Sequence, residues 1–162
     1  MTTKYHTNVQ KGIIEFGKSF RRFKEIYGSN KPILINHPKG KFRPLVWYPD
    51  VQFVTKQGKR IVFEILDSEL KKEDLIIADV ILACLSTDTS KIIFIVPTER
   101  DQDKVQRIAT TIITNLASLI SKSKFKKEAT YAYILKKEAE SPEAVKSVLS
   151  KMELKLLKRL SF

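Results

Sequence analysis

Residues 91–96, KIIFIV, contain a continuous apolar run that is ended by Pro97. A strand with apolar side chains on both faces is typical of the centre of a sheet that helices cover on both sides. The chain has 162 residues, of which 43% are hydrophobic and 30% are charged. This length allows one domain with a substantial core and is too short for two domains that each have such a core. The sequence therefore predicts a single α/β domain over residues 1–162.

Hydrophobic periodicity and end signals predict the remaining helices and strands. The predicted helices are residues 8–27 with Asn8 as N-cap and Gly28 as stop, 68–85 capped by Ser68, 98–120 opened by Thr98, and 141–160 opened by Ser141 and Pro142. The predicted strands are residues 32–36, 45–55, 60–66, 91–96 and 129–135, with a turn at Gly58 that makes a hairpin. This order predicts a mixed central sheet flanked by helices.

The chain is strongly basic, with 30 Lys and Arg against 18 Asp and Glu and a formal net charge of +12. The basic residues recur along the whole sequence, which favours a polyanionic partner, most simply DNA. A solvated basic surface without a partner is the alternative. The turn-rich loop HPKGKFRP, residues 37–44, contains three candidate phosphate contacts: Lys39, Lys41 and Arg43. Three aromatic residues in or beside it either stack on bases or pack into the core: Phe42, Trp47 and Tyr48.

The single cysteine and the absence of long apolar stretches limit the other classes of site and the location of the protein. The single cysteine, Cys84, lies in an apolar segment, so there is neither a disulfide framework nor a thiolate zinc site. The residues after Met1 lack an apolar signal region, and no stretch reaches the length of a membrane span. We therefore expect an intracellular, cytoplasmic protein without a membrane partner. The last predicted helix leaves a homodimer or another protein partner open.

Glu64 lies in the middle of the apolar run IVFEIL. Strand alternation places Val62, Glu64 and Leu66 on one face, and Ile61, Phe63 and Ile65 on the other. We expect the Glu64 side chain to be at least partly buried among apolar neighbours. A buried carboxylate needs a counter-charge, a hydrogen-bond donor or a metal ion. The candidates for a counter-charge are basic neighbours such as Arg60 or Lys59.

Pro49-Asp50, thirteen further residues and then Glu64-Ile65-Leu66 form a pattern that resembles the PD-(D/E)XK nuclease superfamily, which has the restriction-endonuclease-like fold. The predicted order of elements over residues 8–96 is similar to the common core of that superfamily. The resemblance implies a magnesium-dependent deoxyribonuclease, with manganese as the alternative metal. It implies that Asp50 and Glu64 are catalytic metal ligands together with the carbonyl of Ile65. An acid on the first helix often adds to such sites, and Glu15 is the candidate here.

Leu66 departs from the pattern of the family, which normally has lysine two residues after the glutamate. That lysine positions the attacking water and offsets the charge on the phosphate, and leucine does neither. In variant members the lysine moves to the following helix, where Lys71 and Lys72 are the candidates, unless they are simply solvated. The alternative function is therefore a catalytically inactive nuclease-fold protein that acts in DNA binding or protein assembly.

Overall fold

The computed structural model describes residues 2–67, 73–116 and 127–157. The helices are α1 (Lys4–Lys18), α2 (Glu73–Leu85), α3 (Glu99–Asn115), α4 (Pro142–Lys151) and α5 (Glu153–Leu157), with a short 3-10 helix at Lys136–Glu138. The strands are β1 (Phe23–Tyr27), β2 (Ile33–Ile35), β3 (Leu45–Trp47), β4 (Val51–Thr55), β5 (Arg60–Ile65), β6 (Thr89–Val96) and β7 (Glu128–Tyr133). Within these ranges, none of the helices has the length and apolarity needed to cross a membrane.

Five of the strands form one mixed sheet in the order β1-β4-β5-β6-β7. The strands β1, β4 and β5 pair in antiparallel fashion, whereas β5, β6 and β7 pair in parallel. The parallel strands are connected through α2 and then α3. The strands β2 and β3 form a separate antiparallel pair. The mixed central sheet flanked by helices, as the sequence predicts, is therefore confirmed.

Each face of the sheet has its own apolar core. On one face, Phe63 packs among residues of α1 and α4. On the other face, Val62 packs among residues of α2 and α3. The predicted alternation along β5 is therefore confirmed. All eight residues of β6 are buried, as the apolar run in its sequence predicts for a central strand.

Several predicted turns and helix starts also agree with the structure. Gly58 has a φ of 80° in the turn between β4 and β5, a conformation that glycine adopts without strain. The Thr98 side chain accepts a hydrogen bond from the Asp101 N–H at the start of α3. The Ser141 side chain does the same for the Ala144 N–H at the start of α4. These hydrogen bonds satisfy amide groups that have no partner within the helix.

The predicted helix over residues 8–27 is wrong at its start. Helix α1 begins at Lys4, because the Thr3 side chain caps it by accepting a hydrogen bond from the His6 N–H. Asn8 is consequently inside the helix, where its side chain donates to the Ala139 carbonyl.

The same prediction is wrong at its end, because α1 stops at Lys18 and residues 23–27 form β1. The aromatic spacing in this segment fitted a helix. However, β1 pairs with β4, and the rings of Phe23 and Phe53 pack with centroids 4.8 Å apart. These long-range interactions stabilise the extended conformation against the local helical pattern.

The predicted strand over residues 45–55 consists of two strands in different sheets. The first, β3, pairs with β2, and the second, β4, pairs with β1 and β5. Pro49 lies between them and cannot donate a hydrogen bond to a neighbouring strand. The last predicted helix is also divided, at Met152. Of the predicted helix ends, Ser68 and residues 117–120 and 158–160 lie outside the described ranges.

Candidate functional site

Asp50 and Glu64 lie opposite each other on neighbouring antiparallel strands. Asp50 immediately precedes β4, and the pairing of Val51 with Phe63 continues by one residue to place Asp50 across from Glu64. The Ile65 N–H donates a hydrogen bond of 2.7 Å to Asp50 Oδ2. This bond holds the Asp50 carboxylate beside β5, so the structure brings the two predicted acids together.

Glu64 is buried, with only 7% of its surface exposed. Its Oε1 accepts a hydrogen bond of 3.2 Å from the indole N–H of Trp47, at the end of β3. Arg60, a predicted counter-charge, instead donates to Gln52 Oε1 at 2.9 Å. The ion pairs among the described residues do not include Glu64. A neutral donor is therefore the partner of this buried acid.

Asp79 is a third carboxylate at this position, which none of the sequence patterns above indicated. It lies on the inner side of α2 beside Ile76 and Val80, both of which are fully buried. Burial, and then the charge of Asp50, raises the pKa of Asp79 to about 7, although a hydrogen bond with Trp47 opposes the increase. The sequence feature that could have indicated Asp79 is its position among apolar residues of a predicted helix, three residues after Ile76.

The carboxylates affect one another's ionisation. Burial raises the pKa of Glu64 well above its usual value, and the charges of Asp79 and Asp50 raise it further. A hydrogen bond with Asp50 acts in the same direction, whereas the Trp47 N–H favours the ionised form of Glu64. In the protein alone, Glu64 therefore retains its proton at pH values where an exposed glutamate has lost it.

Helix α1 contributes two side chains that hold Asp50. His6 Nε2 lies 3.0 Å from Asp50 Oδ1, and Gln10 donates a hydrogen bond of 2.9 Å to the Asp50 carbonyl. The hydrogen bond with Asp50 is the main cause that raises the pKa of His6. His6 was not predicted as a site residue, because it is far from His37 in the sequence and no Cys or His lies at metal-ligand spacing from it.

Glu15, the acid that the resemblance assigns to this helix, has a different environment. Its side chain is 52% exposed and forms an ion pair of 3.1 Å with Lys18. Glu15 follows Gln10 by more than one helical turn, whereas His6 and Gln10 are the α1 residues that contact Asp50. The structure therefore brings His6, and not Glu15, to the pair of strands.

Comparison of the chain with models of protein families, with characterised proteins and with solved structures gave no match. The resemblance to PD-(D/E)XK nucleases therefore stays a prediction.

The oxygen atoms of Asp50, Glu64 and Ile65 suit a hard divalent cation. Because the Ile65 N–H points towards Asp50, the Ile65 carbonyl is directed to the same edge of the strand. Magnesium retains several waters and needs only one or two protein carboxylates besides substrate phosphate. Within the described part of the chain, no three or more His, Cys, Asp or Glu residues form a metal-binding group. The residues fit a cation with few protein ligands and do not form a closed site.

Leu66 follows on the same face as Glu64 and packs, partly buried, against the core between the sheet and α2. Its backbone N–H donates to the Ile95 carbonyl, so β5 and β6 remain paired beyond Ile65. The side chain provides neither charge nor hydrogen bond to the carboxylates. Lys71 and Lys72, the candidates for that role, lie outside the described residues.

The three predicted phosphate contacts lie in the loop between β2 and β3. Lys39, Lys41 and Arg43 are all exposed. Among the described residues, none of them takes part in an ion pair. Trp47 is 4% exposed and belongs to the core, so it is not a base-stacking residue, whereas Phe42 and Tyr48 remain exposed.

Proposed function

We propose that this chain is a magnesium-dependent nuclease of the PD-(D/E)XK type, which hydrolyses phosphodiester bonds of DNA. The observation that carries the proposal is the pairing of Asp50 with a buried Glu64, which forms no ion pair with a basic side chain among the described residues. Asp79 is a third carboxyl group here, and among the described residues the basic side chain that contacts the group is His6, which binds Asp50. A divalent cation would relieve the repulsion that arises when these groups ionise.

The order of elements supports the proposal. A helix, three antiparallel strands, a second helix and a parallel strand follow one another as α1, β1, β4, β5, α2 and β6. Asp50 immediately precedes the second of these strands, and Glu64 belongs to the third. This arrangement is similar to the core that the sequence resemblance implies, although β2 and β3 interrupt it.

The chain's own residues would hold the site in position. The Ile65 N–H and His6 bind the two oxygens of Asp50, and the Trp47 N–H binds Oε1 of Glu64. These bonds hold the two carboxylates side by side, and a cation would take its ligands from Asp50, Glu64 and the Ile65 carbonyl. When bound, magnesium supplies polarisation of the phosphodiester and acidification of water. We assign the missing lysine function to Lys71 or Lys72.

A cleavage assay tests the proposal directly. Supercoiled, linear, branched and single-stranded DNA are incubated with the protein in magnesium or manganese. We expect metal-dependent cleavage by the wild type and its loss in Asp50→Ala and Glu64→Ala, because each variant removes a cation ligand. Glu15→Ala is the matched control, since it removes an exposed acid from the neighbouring helix, and it should cut like the wild type. Cleavage that survives Asp50→Ala would point to another site or to a contaminant.

Leu66 favours a second candidate function, a nuclease-fold protein that binds DNA or a protein partner without cutting. With leucine at position 66, the phosphate lacks the lysine ammonium group that the family normally provides at this position. If the wild type binds DNA and cuts none of the four substrates in either metal, this second function replaces the first.

DNA binding should depend steeply on salt because of the exposed cations in the β2–β3 loop. Replacing Lys39, Lys41 and Arg43 with alanine should reduce the slope of log affinity against log salt by about 0.9 per lost phosphate contact on duplex DNA. The control is Lys136→Ala/Lys137→Ala/Lys151→Ala, which removes three exposed cations elsewhere. Fluorescence anisotropy at several salt concentrations measures the slope for the wild type and for both variants. A loop variant with the same slope as the wild type would exclude the loop from the DNA interface.

A further inference from the structure

Strands β2 and β3 and the loop between them form a hairpin, residues 33–47, that has one buried and one exposed side. Ile33, Ile35 and Trp47 pack into the core on the α2 side of the sheet. Leu34 and Val46 are paired across the hairpin and are 55% and 51% exposed. The hairpin is therefore anchored through one side and presents the other to solvent.

Phe42 is the most exposed aromatic residue on this hairpin, with 70% of its surface accessible. The His37 ring packs edge-on against it, with ring centroids 5.0 Å apart. Two hydrogen bonds close the loop beneath them: the Gly40 N–H donates to the His37 carbonyl and the Lys39 N–H to His37 Nδ1. Gly40 has a φ of 65°, which allows this tight turn. The loop thus holds Phe42 outward instead of folding it onto the core.

Charge complementarity points to a polyanion as the partner of this surface. Residues 31–48 contain four basic residues and no acidic residue. The four residues are all exposed: Lys31, Lys39, Lys41 and Arg43. An exposed aromatic ring between cations matches a nucleic acid strand, in which phosphates alternate with flat bases.

The hairpin is also connected to the carboxylates. Trp47, which ends β3, donates a hydrogen bond to Glu64. Phe42 precedes Trp47 by five residues, so their Cα atoms are at most about 17 Å apart. Stacked nucleotides are spaced by about 3.4 Å, so this distance corresponds to about five nucleotides. A nucleic acid strand of this length therefore spans the separation between Phe42 and the end of the hairpin that binds Glu64.

We propose that Phe42 stacks on an unpaired base and thereby directs the protein to DNA that has unpaired nucleotides. Bases inside an intact duplex are already stacked on both sides, so the ring gains a partner only where a base is displaced or unpaired. This inference rests on the proposed function for its substrate, DNA, and adds to it the structural form that is recognised.

Binding without catalysis tests the inference. Labelled duplex, single-stranded DNA and duplex with one unpaired base are titrated by fluorescence anisotropy in EDTA. Phe42→Ala should weaken binding to the unpaired and single-stranded forms by about 5- to 150-fold and leave duplex binding unchanged. Phe42→Trp should bind like the wild type, whereas Phe42→Leu should resemble Phe42→Ala. Leu154→Ala is the control, because Leu154 is 75% exposed at a different place in the fold, on α5.

Three outcomes would overturn the inference. Equal affinity of wild type and Phe42→Ala for DNA with an unpaired base would exclude stacking, even if metal-dependent cleavage is found. Full binding by Phe42→Leu would replace stacking with simple apolar contact. Phe42-dependent binding to vesicles of phosphatidylcholine and phosphatidylglycerol, without Phe42-dependent DNA binding, would assign the hairpin to a membrane surface. Because the assay contains no metal, failure of cleavage leaves these results interpretable.

Discussion

Replacing Asp79 with asparagine is expected to stabilise the metal-free protein at pH 8 by roughly 2–4 kcal/mol and to leave its stability at pH 4 unchanged. The pKa of Asp79 is raised from 3.8 to about 7, mainly by burial and then by the charge of Asp50. Above pH 7 the folded wild type must hold an ionised, largely buried carboxylate, whereas asparagine has a similar shape and no charge. Urea unfolding at a series of pH values measures the difference.

The sign of this effect follows from proton binding. Between about pH 4 and pH 7, folded Asp79 keeps a proton that the unfolded chain has lost, so stability falls as pH rises. The contribution of protonated Asp79 to the free energy of unfolding is complete below the pKa of the unfolded chain and is lost as pH rises through about 7. The raised pKa of His6 acts in the same direction, but His6 is present in both proteins and its effect cancels in the comparison. Identical pH dependence of the two proteins would contradict the raised pKa of Asp79.

The effect of magnesium on Tm, measured at two pH values, tests the same site. A cation that binds only the folded protein stabilises it by mass action, and it requires Glu64 to be ionised. The increase in Tm on adding magnesium should therefore be larger at pH 8 than at pH 6. The single tryptophan, Trp47, donates to Glu64, so its fluorescence gives an independent signal. Glu64→Gln should abolish both responses, and Glu15→Gln should retain them. An unchanged wild-type Tm at pH 8 would contradict the metal site.

The features that local sequence pattern determines were predictable. The apolar run in β6 indicated a strand covered on both faces, and the alternation along β5 indicated that Glu64 faces a core. Thr98 and Ser141 cap their helices as expected, because an N-cap depends only on residues within one turn. The opposition of Asp50 and Glu64 also follows from a short hairpin, in which the turn determines the register.

The features that long-range contacts determine were not predictable in the same way. Strand β1 has an aromatic spacing that fits a helix, and its pairing with β4 overrides that pattern. His6 reaches Asp50 only because α1 packs against the sheet, and 44 residues separate the two in the chain. Asp79 comes from the helix after β5, so its place beside Glu64 depends on how α2 lies over the sheet. Sequence spacing alone does not contain that information.

In the Lys71→Ala/Lys72→Ala background, replacing Leu66 with lysine is expected to increase metal-dependent DNA cleavage by about 10²- to 10³-fold, the usual contribution of one positioned group to stabilising charge in a transition state. Position 66 lies on the same face of β5 as Glu64, so the ammonium group can approach a phosphate bound at the carboxylates. The lysine stem can replace part of the apolar contact that Leu66 makes with the core. Initial cleavage rates in magnesium, measured beside DNA affinity, separate a catalytic gain from tighter binding.

Leu66→Met is the matched control, because methionine has an unbranched apolar side chain like the stem of lysine but no charge, and this variant should cut at the wild-type rate. The double variant Lys71→Ala/Lys72→Ala tests whether one of these lysines supplies the ammonium group in the wild type. If either lysine supplies it, the double variant should lower the rate in the wild-type background and have little effect beside Leu66→Lys, since the new ammonium group makes the old one redundant. Equal losses in both backgrounds would show that the two lysines act elsewhere, for example in DNA binding. If Leu66→Lys still binds magnesium and DNA but cuts none of the substrates, then Asp50 and Glu64 are not placed for hydrolysis, and the binding function replaces the nuclease.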